Sequence, residues 1–514
     1  MAVSKRLFSG MTGASMALCL SLGTVSSTMA HTTLKQQQPA PILPGTPAGK
    51  QAQGLVDALN SGKADTLRSF VSGQMGGRLL AEIPLDSHVE RLQGFGERAG
   101  KITLIRVLES SPNQIRVLIK EAKSGRDSVL YIRTTDTAPQ KIDGIGISRA
   151  EPWDTLPLPE VPKGKATEKQ VAEYLDAFLK PLVAADAFSG SVLVAKDGKI
   201  AYRKAFGLAS RAWNAKNQPD TKFNLGSMNK MLTSVAIAQL MEQGKLKWDD
   251  TLGTSLPDWP NKDAAPKIKL SHLLMHTSGI GDYFNDDFAK ASRDRFRTVA
   301  DYFPLYANQP LAFEPGNRFS YSNGGFMTLG GVIEKVSGKD YFTYIRENIY
   351  TLAGMPNSDS YDLDDDIPNL ATGYSYERSL TGPAPGPRKR YSNIILHVIK
   401  GGPAGGGYST ADDLFHFDQA LRSGKLIKKE TFERLLNANG AEKNDSKADK
   451  RAYGFGFQTE WKNGQRIVGH SGGFPGINSN LDMYLESGWT VVVLRNYDSG
   501  ASAVSDHLKD WLTR

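Results

Sequence analysis

The chain has 514 residues, of which 40% are hydrophobic and 23% charged. This composition is typical of globular proteins, and the length allows more than one domain. The formal net charge is +8, but the Lys and Arg residues form no dense run. The charge therefore predicts no nucleic-acid partner.

The first thirty residues have the pattern of a secretory signal peptide. Lys5 and Arg6 give a basic start, an apolar and small-residue stretch covers Met11–Val25, and Thr28-Met-Ala30 offers a small–x–small cleavage site. The apolar stretch is too short and too rich in Gly, Ser and Thr for a stable membrane span. We therefore expect a periplasmic or secreted protein. Cys19 is the only cysteine, so the mature chain would lack thiols and disulfides.

Changes in composition divide the rest of the chain. Residues 31–50, rich in Gln, Pro, Thr and Gly, predict a flexible tether. Residues 151–166 include four prolines and predict a linker. They separate a small domain at 51–150 from a large domain at 167–514.

The small domain is expected to be α+β. Gln51–Val71 has apolar residues at helical spacing. Three alternating runs follow, starting at Ile102, Gln114 and Ser128. Helices followed by an antiparallel sheet make such a unit, and the pattern resembles NTF2/cystatin-like domains. We expect any dimer to form through this domain.

In the large domain, an alternating pair of runs around Asp197-Gly198 predicts a β-hairpin. A helix is expected from Ser227 to Gln243, apolar on most sides and therefore central and buried. Towards the end, strands are predicted at the runs Tyr453–Phe457, Gln465–Gly469, Leu481–Leu485 and Trp489–Leu494, and a final helix at Ser505–Leu512.

Ser227 and Lys230 form the single Ser-x-x-Lys of the chain, at the start of the buried helix. Residues at i and i+3 share a helix face, so the amine of Lys230 can reach the hydroxyl of Ser227. A lysine in a dry site loses proton affinity and can act as a base. A helix N-terminus also favours a developing oxyanion.

Tyr321-Ser-Asn323 is the second candidate element. A tyrosine there can relay the serine proton, while Asn323 can hydrogen-bond the lysine and the substrate. The same spacing occurs at Tyr306 to Asn308 and at Tyr391 to Asn393. We favour Tyr321 because a Pro-Gly turn precedes it and an apolar helix follows.

His470-Ser-Gly-Gly473 is the third element, beyond an alternating run. It predicts a strand at the site, with Gly472 allowing close approach of backbone and substrate. The N–H of Gly473 would be the second oxyanion donor, beside that of Ser227. Lys123-Ser-Gly125 has a similar form but is better explained as a hairpin turn.

Together, these motifs resemble the serine β-lactamase and penicillin-binding-protein superfamily, in the branch of class C β-lactamases, D-peptidases and esterases. Other typical segments are Leu273–Ile280, Val336–Gly338, Gly405–Thr410 and Tyr453–Phe457. The resemblance implies an antiparallel sheet flanked by helices plus a helical region. It implies Ser227 as nucleophile, Lys230 and Tyr321 as acid–base pair, and Asn323, His470 and Ser471 as substrate-binding groups. A small-molecule or peptide substrate is expected, with no cofactor and no metal.

Three alternatives stay open on sequence alone. Gly469-His-Ser471-Gly-Gly473 fits the nucleophile elbow of α/β-hydrolases, which needs a helix directly after the serine. His272 and His276 have the spacing of metal ligands on a helix, although no third ligand is evident. The chain could also be a catalytically silent binding protein, which the intact Ser, Lys, Tyr and Asn argue against.

The motifs do not determine the substrate, because esterases, D-peptidases, DD-carboxypeptidases and β-lactamases share them. The segment 281–313 carries seven aromatic residues from Tyr283 to Tyr306. They would favour an apolar acyl or aromatic group if they roof the site; ordinary helix packing explains them equally well. In many relatives a lysine occupies the position of His470. A histidine would recognise a substrate carboxylate only when protonated, near its ordinary pKa of ~6.5.

Overall fold

The structure is a computed structural model. It describes residues 41–379, 382–383, 389–437 and 450–514 and divides after Ser148 into two compact units. The predicted signal peptide, Cys19 and the first half of the predicted tether lie outside the described residues. None of the helices in the described part of the chain is both long and apolar enough to cross a membrane.

The first unit has four helices followed by a four-stranded sheet. The helices are Pro47–Asn60, Ala64–Gln74, Gly77–Glu82 and Leu85–Ala99, and the strands, in sheet order, are Ile102–Ser110, Gln114–Glu121, Asp127–Thr134 and Ile142–Arg149. The first helix begins inside the range predicted as a tether, where Thr46 Oγ1 accepts a hydrogen bond from Gly49 N at 3.1 Å. The helix predicted over 51–71 is in fact two, because Gly62 with φ +65° lies between them. The fourth strand was not predicted.

A seven-stranded antiparallel sheet organises the second unit. Its order is Lys450–Tyr453, Gln458–Lys462, Gln465–Phe474, Ile477–Tyr484, Trp489–Arg495, Gly190–Lys196 and Lys199–Phe206. The predicted hairpin supplies the last two strands. The run Tyr453–Phe457 was wrongly predicted as a strand, because pairing ends at Tyr453 and Gly456 has φ +76°.

The sheet separates two apolar layers, and strand Trp489–Arg495 shows why. Its side chains alternate between the two faces. Val491 and Val493 pack with helices Glu168–Ala184 and Ala501–Leu512. Val492 and Leu494 pack in the larger layer that contains helix Asn229–Glu242. This helix is buried at every residue from Asn229 to Leu240, as expected for a helix that is apolar all round.

The segment predicted as a linker is part of the second unit. Pro152–Thr155 forms a short helix, and Trp153, Leu156, Leu158 and Val161 pack, partly buried, against the layer of helices Glu168–Ala184 and Ala501–Leu512. The prolines therefore belong to a segment that covers the core.

The remaining elements of the second unit are shorter or lie around the larger layer. The helices are Gly226–Met228, Leu252–Ser255, Ala265–Lys267, Leu270–Leu274, Asp286–Lys290, Arg293–Arg295, Ala300–Leu305, Asn323–Ser337, Tyr341–Ile345, Arg346–Tyr350, Thr351–Ala353, Ala411–Arg422 and Lys429–Leu436. The paired strands are Leu208–Ser210 with Ala215–Lys216, Phe223–Asn224 with Tyr408–Ser409, Tyr374–Ser375 with Tyr391–Ser392, and Glu377–Ser379 with Gly382–Pro383.

Candidate active site

Ser227 lies in the one-turn helix Gly226–Met228, immediately before the buried helix Asn229–Glu242. Gly226 has φ +52°, and a Cβ added there would lie 2.9 Å from the amide nitrogen of Gly473. Only glycine lets the turn and the strand Gln465–Phe474 come this close. The predicted oxyanion donor Gly473 therefore lies beside the turn Gly226–Met228, which carries the predicted nucleophile Ser227 and is called the nucleophile turn below. Gly472 serves the same contact, since a Cβ there would collide with the carbonyl oxygen of Leu225.

Lys230 is fully buried, and its amine has three oxygen neighbours. Nζ lies 2.6 Å from the carbonyl oxygen of Ala404, 2.8 Å from Asn323 Oδ1 and 3.3 Å from Ser227 Oγ. A neutral amine has two hydrogens and one lone pair. Because the Ala404 carbonyl and the Asn323 amide oxygen can only accept, they take both hydrogens. The lone pair is then left for the hydroxyl of Ser227.

Asp282 fixes the orientation of Asn323. Its Oδ2 accepts from both the backbone N–H and the side-chain Nδ2 of Asn323, each at 2.9 Å. A carboxylate only accepts hydrogen bonds, so the NH₂ of Asn323 must face Asp282 and its oxygen must face Lys230. The hydrogen-bond partners therefore determine which way the Asn323 amide points.

Burial lowers the pKa of Lys230 to about 7, and the negative charge of Asp282 opposes part of this shift. A substantial fraction of Lys230 is therefore a neutral amine near neutral pH, the form that can accept a proton from Ser227.

Tyr321 lies over the same amine. Lys230 Nζ is 4.8 Å from the centroid of the Tyr321 ring. Tyr321 is 40% exposed, on the solvent side of the site. Burial raises the pKa of Tyr321, and the interaction of its hydroxyl with Ser227 opposes this shift. Tyr321 therefore keeps its proton at neutral pH and can donate it.

His276 supports Tyr321. The two ring centroids are 4.2 Å apart, and His276 Nδ1 accepts the backbone N–H of Ser322 at 3.1 Å. Burial, followed by the charge of Lys230, lowers the pKa of His276 to about 2, so the ring is neutral. His272 Nδ1 likewise accepts a backbone N–H, that of Lys269. Among the described residues, no group of three or more His, Cys, Asp or Glu is placed to hold a metal ion.

Two predicted substrate-binding residues are placed differently from the expectation. His470 is 2% exposed; its Nδ1 donates to the Ser471 carbonyl at 2.6 Å and its Nε2 accepts from the Tyr453 hydroxyl at 2.9 Å. Burial lowers its pKa to about 3. Ser471 lines a second cavity, bordered by Asp506 and Lys509 of the final helix. Neither residue lines the cavity beside Ser227.

The same strand excludes the nucleophile-elbow alternative. Ser471 lies within strand Gln465–Phe474, and the next element is the antiparallel strand Ile477–Tyr484. An elbow needs a helix at that point.

The other Tyr-x-Asn matches have structural roles. Tyr306 is buried and its hydroxyl pairs with Thr328 Oγ1 at 3.2 Å. Asn393 is buried and donates to the Pro475 carbonyl at 2.9 Å, so the structure gives it a packing role.

A cavity of about 210 Å³ opens beside Ser227. None of the described residues that line it is Asp, Glu, Lys or Arg; they include Ser227, Tyr321, Asn323 and Gly473, together with Tyr283, Phe284, Phe288, Val398, Phe474 and Ile477. Of the seven aromatic residues from Tyr283 to Tyr306, three therefore face the cavity. The other four, Phe296, Tyr302, Phe303 and Tyr306, pack in the core.

Two contributors to the site, Asp282 and Gly226, were missed in the sequence. Asp282 reaches Asn323 over 41 residues, a separation that no local pattern reports. His276 was recognised in the sequence, but its partner Ser322, 46 residues away, was not. Gly226 carried a signal that was available, since a glycine directly before a nucleophile indicates a tight backbone contact.

A serine beside a buried lysine, with a tyrosine ring next to the lysine amine, is an arrangement suited to hydrolysis through a serine nucleophile with lysine as the base. Comparisons with known proteins agree. The Beta-lactamase family model matches residues 175–513. Penicillin-binding protein 4* of Bacillus subtilis (strain 168) is 31% identical over 354 residues, or 65% of this chain and 75% of its own.

Teichoic acid D-alanine hydrolase of Staphylococcus aureus (strain NCTC 8325 / PS 47) is 28% identical over 291 residues, covering 56% of this chain and 65% of the relative. The crystal structure of a penicillin binding protein from Bacillus halodurans has a TM-score of 0.56 at 32% identity, over 64% of this chain and 98% of that one. The chain belongs to the Beta-lactamase family and is a serine hydrolase.

Proposed function

We propose that the protein hydrolyses esters of uncharged, apolar acids through an acyl-enzyme on Ser227. The observation that carries this proposal is the amine of Lys230. Its two hydrogens are engaged by Ala404 and Asn323, and its lone pair remains for Ser227. The lysine is thereby oriented as a base before substrate arrives.

The proposed reaction has two steps, acylation of Ser227 and hydrolysis of the acyl-enzyme, and Lys230 and Tyr321 transfer protons in both. Lys230 takes the proton of Ser227 as Oγ attacks the ester carbonyl, and the N–H groups of Ser227 and Gly473 bind the oxyanion. Tyr321 gives its proton to the leaving alcohol and is reprotonated from Lys230. Water then attacks the acyl-enzyme by the reverse route and releases the acid.

The cavity favours uncharged acyl groups. The lining residues that are described include several aromatic rings and no ionic side chain, so a carboxylate or ammonium bound there would lose hydration without a partner. D-amino-acid amides and peptides could be hydrolysed through the same acyl-enzyme on Ser227. β-Lactamase or DD-carboxypeptidase activity is the second candidate, favoured by the similarity to penicillin-binding protein 4*.

A substrate panel tests the proposal. An aromatic or apolar ester, a D-amino-acid amide, a D-Ala-D-Ala peptide and a cephalosporin are compared by kcat/KM, with Ser227→Ala as the control. We expect the neutral ester to exceed the carboxylate-bearing substrates by at least about tenfold, and Ser227→Ala to lose all turnover. A D-Ala-D-Ala peptide or cephalosporin that exceeds the ester would replace this proposal with the second candidate.

We also propose that the protein is exported and that residues 1–30 are removed. The pattern around Lys5, Arg6 and Ala30 supports this. N-terminal sequencing of protein recovered outside the cytoplasm should start at His31. A mature protein that still starts at Met1 would contradict it.

A further inference from the structure

Two consecutive isoleucines lie in water beside the cavity. Ile394 is 65% exposed and Ile395 is 73% exposed. Their neighbours in sequence, Asn393 and Leu396, are buried. Adjacent β-branched apolar side chains gain free energy when a ligand covers them, and a fold that only needed a polar turn would place polar residues there.

The segment that carries these isoleucines is anchored at both of its ends next to residues that line the cavity. Asn393 Nδ2 donates to the carbonyl of Pro475 at 2.9 Å, next to the lining residue Phe474. At the other end of the segment, Arg293 Nε donates to the carbonyl of Leu396 at 3.3 Å. The guanidinium of Arg293 also lies 4.1 Å from the ring centroid of Phe288, another lining residue. The isoleucine pair therefore lies between two anchors at the rim.

The apolar surface continues from the rim into the cavity. His397 and Val398, which follow the isoleucines, line it. Phe284 is 43% exposed, and its ring centroid is 6.0 Å from that of Phe474. The cavity volume of about 210 Å³ is smaller than the ~300–1,000 Å³ typical of ligand pockets. Because the cavity must also accommodate the ester group, we expect an acyl chain of about eight carbons to reach the cavity mouth.

We propose that Ile394, Ile395 and Phe284 form an outer apolar subsite that binds the distal half of a medium-length acyl chain. The inner cavity then holds the carbons next to the ester, and the rim holds the rest. This inference rests on the proposed acyl-enzyme function, since the chain must start at the acylated Ser227. It makes the preferred substrate an ester of a fatty acid of about eight carbons, because a shorter chain leaves the rim uncovered.

The test compares p-nitrophenyl acetate, butyrate and octanoate. The variants are Ile394→Ser, Ile395→Ser, their combination, and Ile200→Ser as a matched control. Ile200 is 44% exposed on strand Lys199–Phe206 and does not line the cavity. Each buried methylene contributes about fourfold in affinity. In the wild type, we expect kcat/KM for octanoate to exceed that for acetate. In the double variant, that ratio should fall about tenfold or more, whereas Ile200→Ser should keep the wild-type ratio.

Titration of every variant with a fluorophosphonate separates the two proposals. Failure of the wild type to react at Ser227 means that the proposed function is wrong. Full reaction at Ser227 with an unchanged octanoate-to-acetate ratio in the double variant overturns the outer subsite alone. An equal fall of the ratio in Ile200→Ser also overturns it. A wild-type preference for octyl acetate over the octanoate ester overturns it too, because the long chain would then bind on the alcohol side of the ester. Loss of binding to phosphatidylglycerol vesicles with an unchanged ratio would assign the isoleucines to a membrane contact instead. The single variants keep the test valid if the double variant is unstable.

Discussion

At the level of a single residue, the proposed role of Lys230 as a base depends on its burial. Its pKa of about 7 results from desolvation, which disfavours the ammonium, and from Asp282, whose negative charge favours it. As a base, Lys230 must be neutral, so kcat/KM for a neutral ester should rise with pH through about 7. Removing the negative charge lowers the lysine pKa further. Asp282→Asn should therefore shift the acidic limb of the pH profile to lower pH, measured with p-nitrophenyl butyrate.

Asp286→Asn is the control for this prediction. Asp286 is four residues away and exposed, and it is not among the charges that act on Lys230. The Asp286→Asn profile should superimpose on that of the wild type. An acidic limb that moves to higher pH in Asp282→Asn would show that Asp282 acts on some group other than the lysine.

His470 shows how burial changes a prediction made from residue type. The sequence predicts a histidine that protonates near ~6.5 and then binds a substrate carboxylate. In the structure, both ring nitrogens are hydrogen-bonded and burial lowers the pKa of His470 to about 3. The ratio of kcat/KM for a hemisuccinate ester to that for a neutral butyrate ester should therefore stay constant from about pH 5.5 to 8. A ratio that rises as the pH falls towards ~6.5 would return His470 to a substrate-binding role.

At the level of elements, the contact between the nucleophile turn and strand Gln465–Phe474 depends on Gly226. Gly226→Ala places a Cβ at 2.9 Å from Gly473 N in a left-handed conformation. We expect a loss of about 1–2 kcal/mol of stability from the backbone conformation. We also expect acylation to fall by about 100-fold or more, because Gly473, the proposed oxyanion donor, is displaced. Stopped-flow acylation and thermal unfolding measure the two effects separately.

Gly244→Ala is the matched variant. Gly244 has φ +71° at the end of helix Asn229–Glu242, and a Cβ there would meet no atom within 4 Å. It should cost a similar amount of stability and leave acylation at the wild-type rate. Equal losses of acylation in both variants would mean that the Gly226 contact has no special role.

Sequence patterns predicted those features that depend on residues close together in the chain. The contact of Ser227 with Lys230 follows from the spacing of i and i+3 on one helix, and the alternating runs predicted most strands of the large sheet. Strand Ile142–Arg149 contains Gly144 and Gly146, which weaken the alternation. The opposite case is Asp282, which has no motif of its own and is recognised only after the fold brings it to Asn323.

At the level of the whole molecule, the second unit should be produced with the segment 151–166, which the sequence predicted to be a linker. A protein starting at Ala150 retains the segment that packs on the core, whereas one starting at Thr167 loses Trp153, Leu156, Leu158 and Val161 from that layer. We expect the longer protein to keep the kcat of the full chain on a neutral ester. The shorter one should be less stable by roughly 3–5 kcal/mol, at about 1 kcal/mol for each half-buried side chain. Size-exclusion chromatography of the full chain and of the protein starting at Ala150 tests the expected dimer. Only the full chain should dimerise if the small domain forms the contact.

The denaturant midpoint and the ester turnover of the proteins starting at Ala150 and Thr167 test these two expectations. Inactivity of a folded protein that starts at Ala150 would show that residues 41–149 take part in the site. Equal stability of the two truncated proteins would show that the covering segment contributes nothing to the core.

The most direct test of the account is to find which serine becomes acylated. The protein is treated with a fluorophosphonate and digested with trypsin, and the adduct is located by mass spectrometry. Cleavage after Lys222 and Lys230 releases Phe223–Lys230, and cleavage after Arg466 and Arg495 releases Ile467–Arg495, which carries Ser471. We predict one adduct, on Ser227, that disappears in Ser227→Ala and persists in Ser471→Ala. An adduct on Ser471, or hydrolysis that continues in Ser227→Ala, would contradict the account.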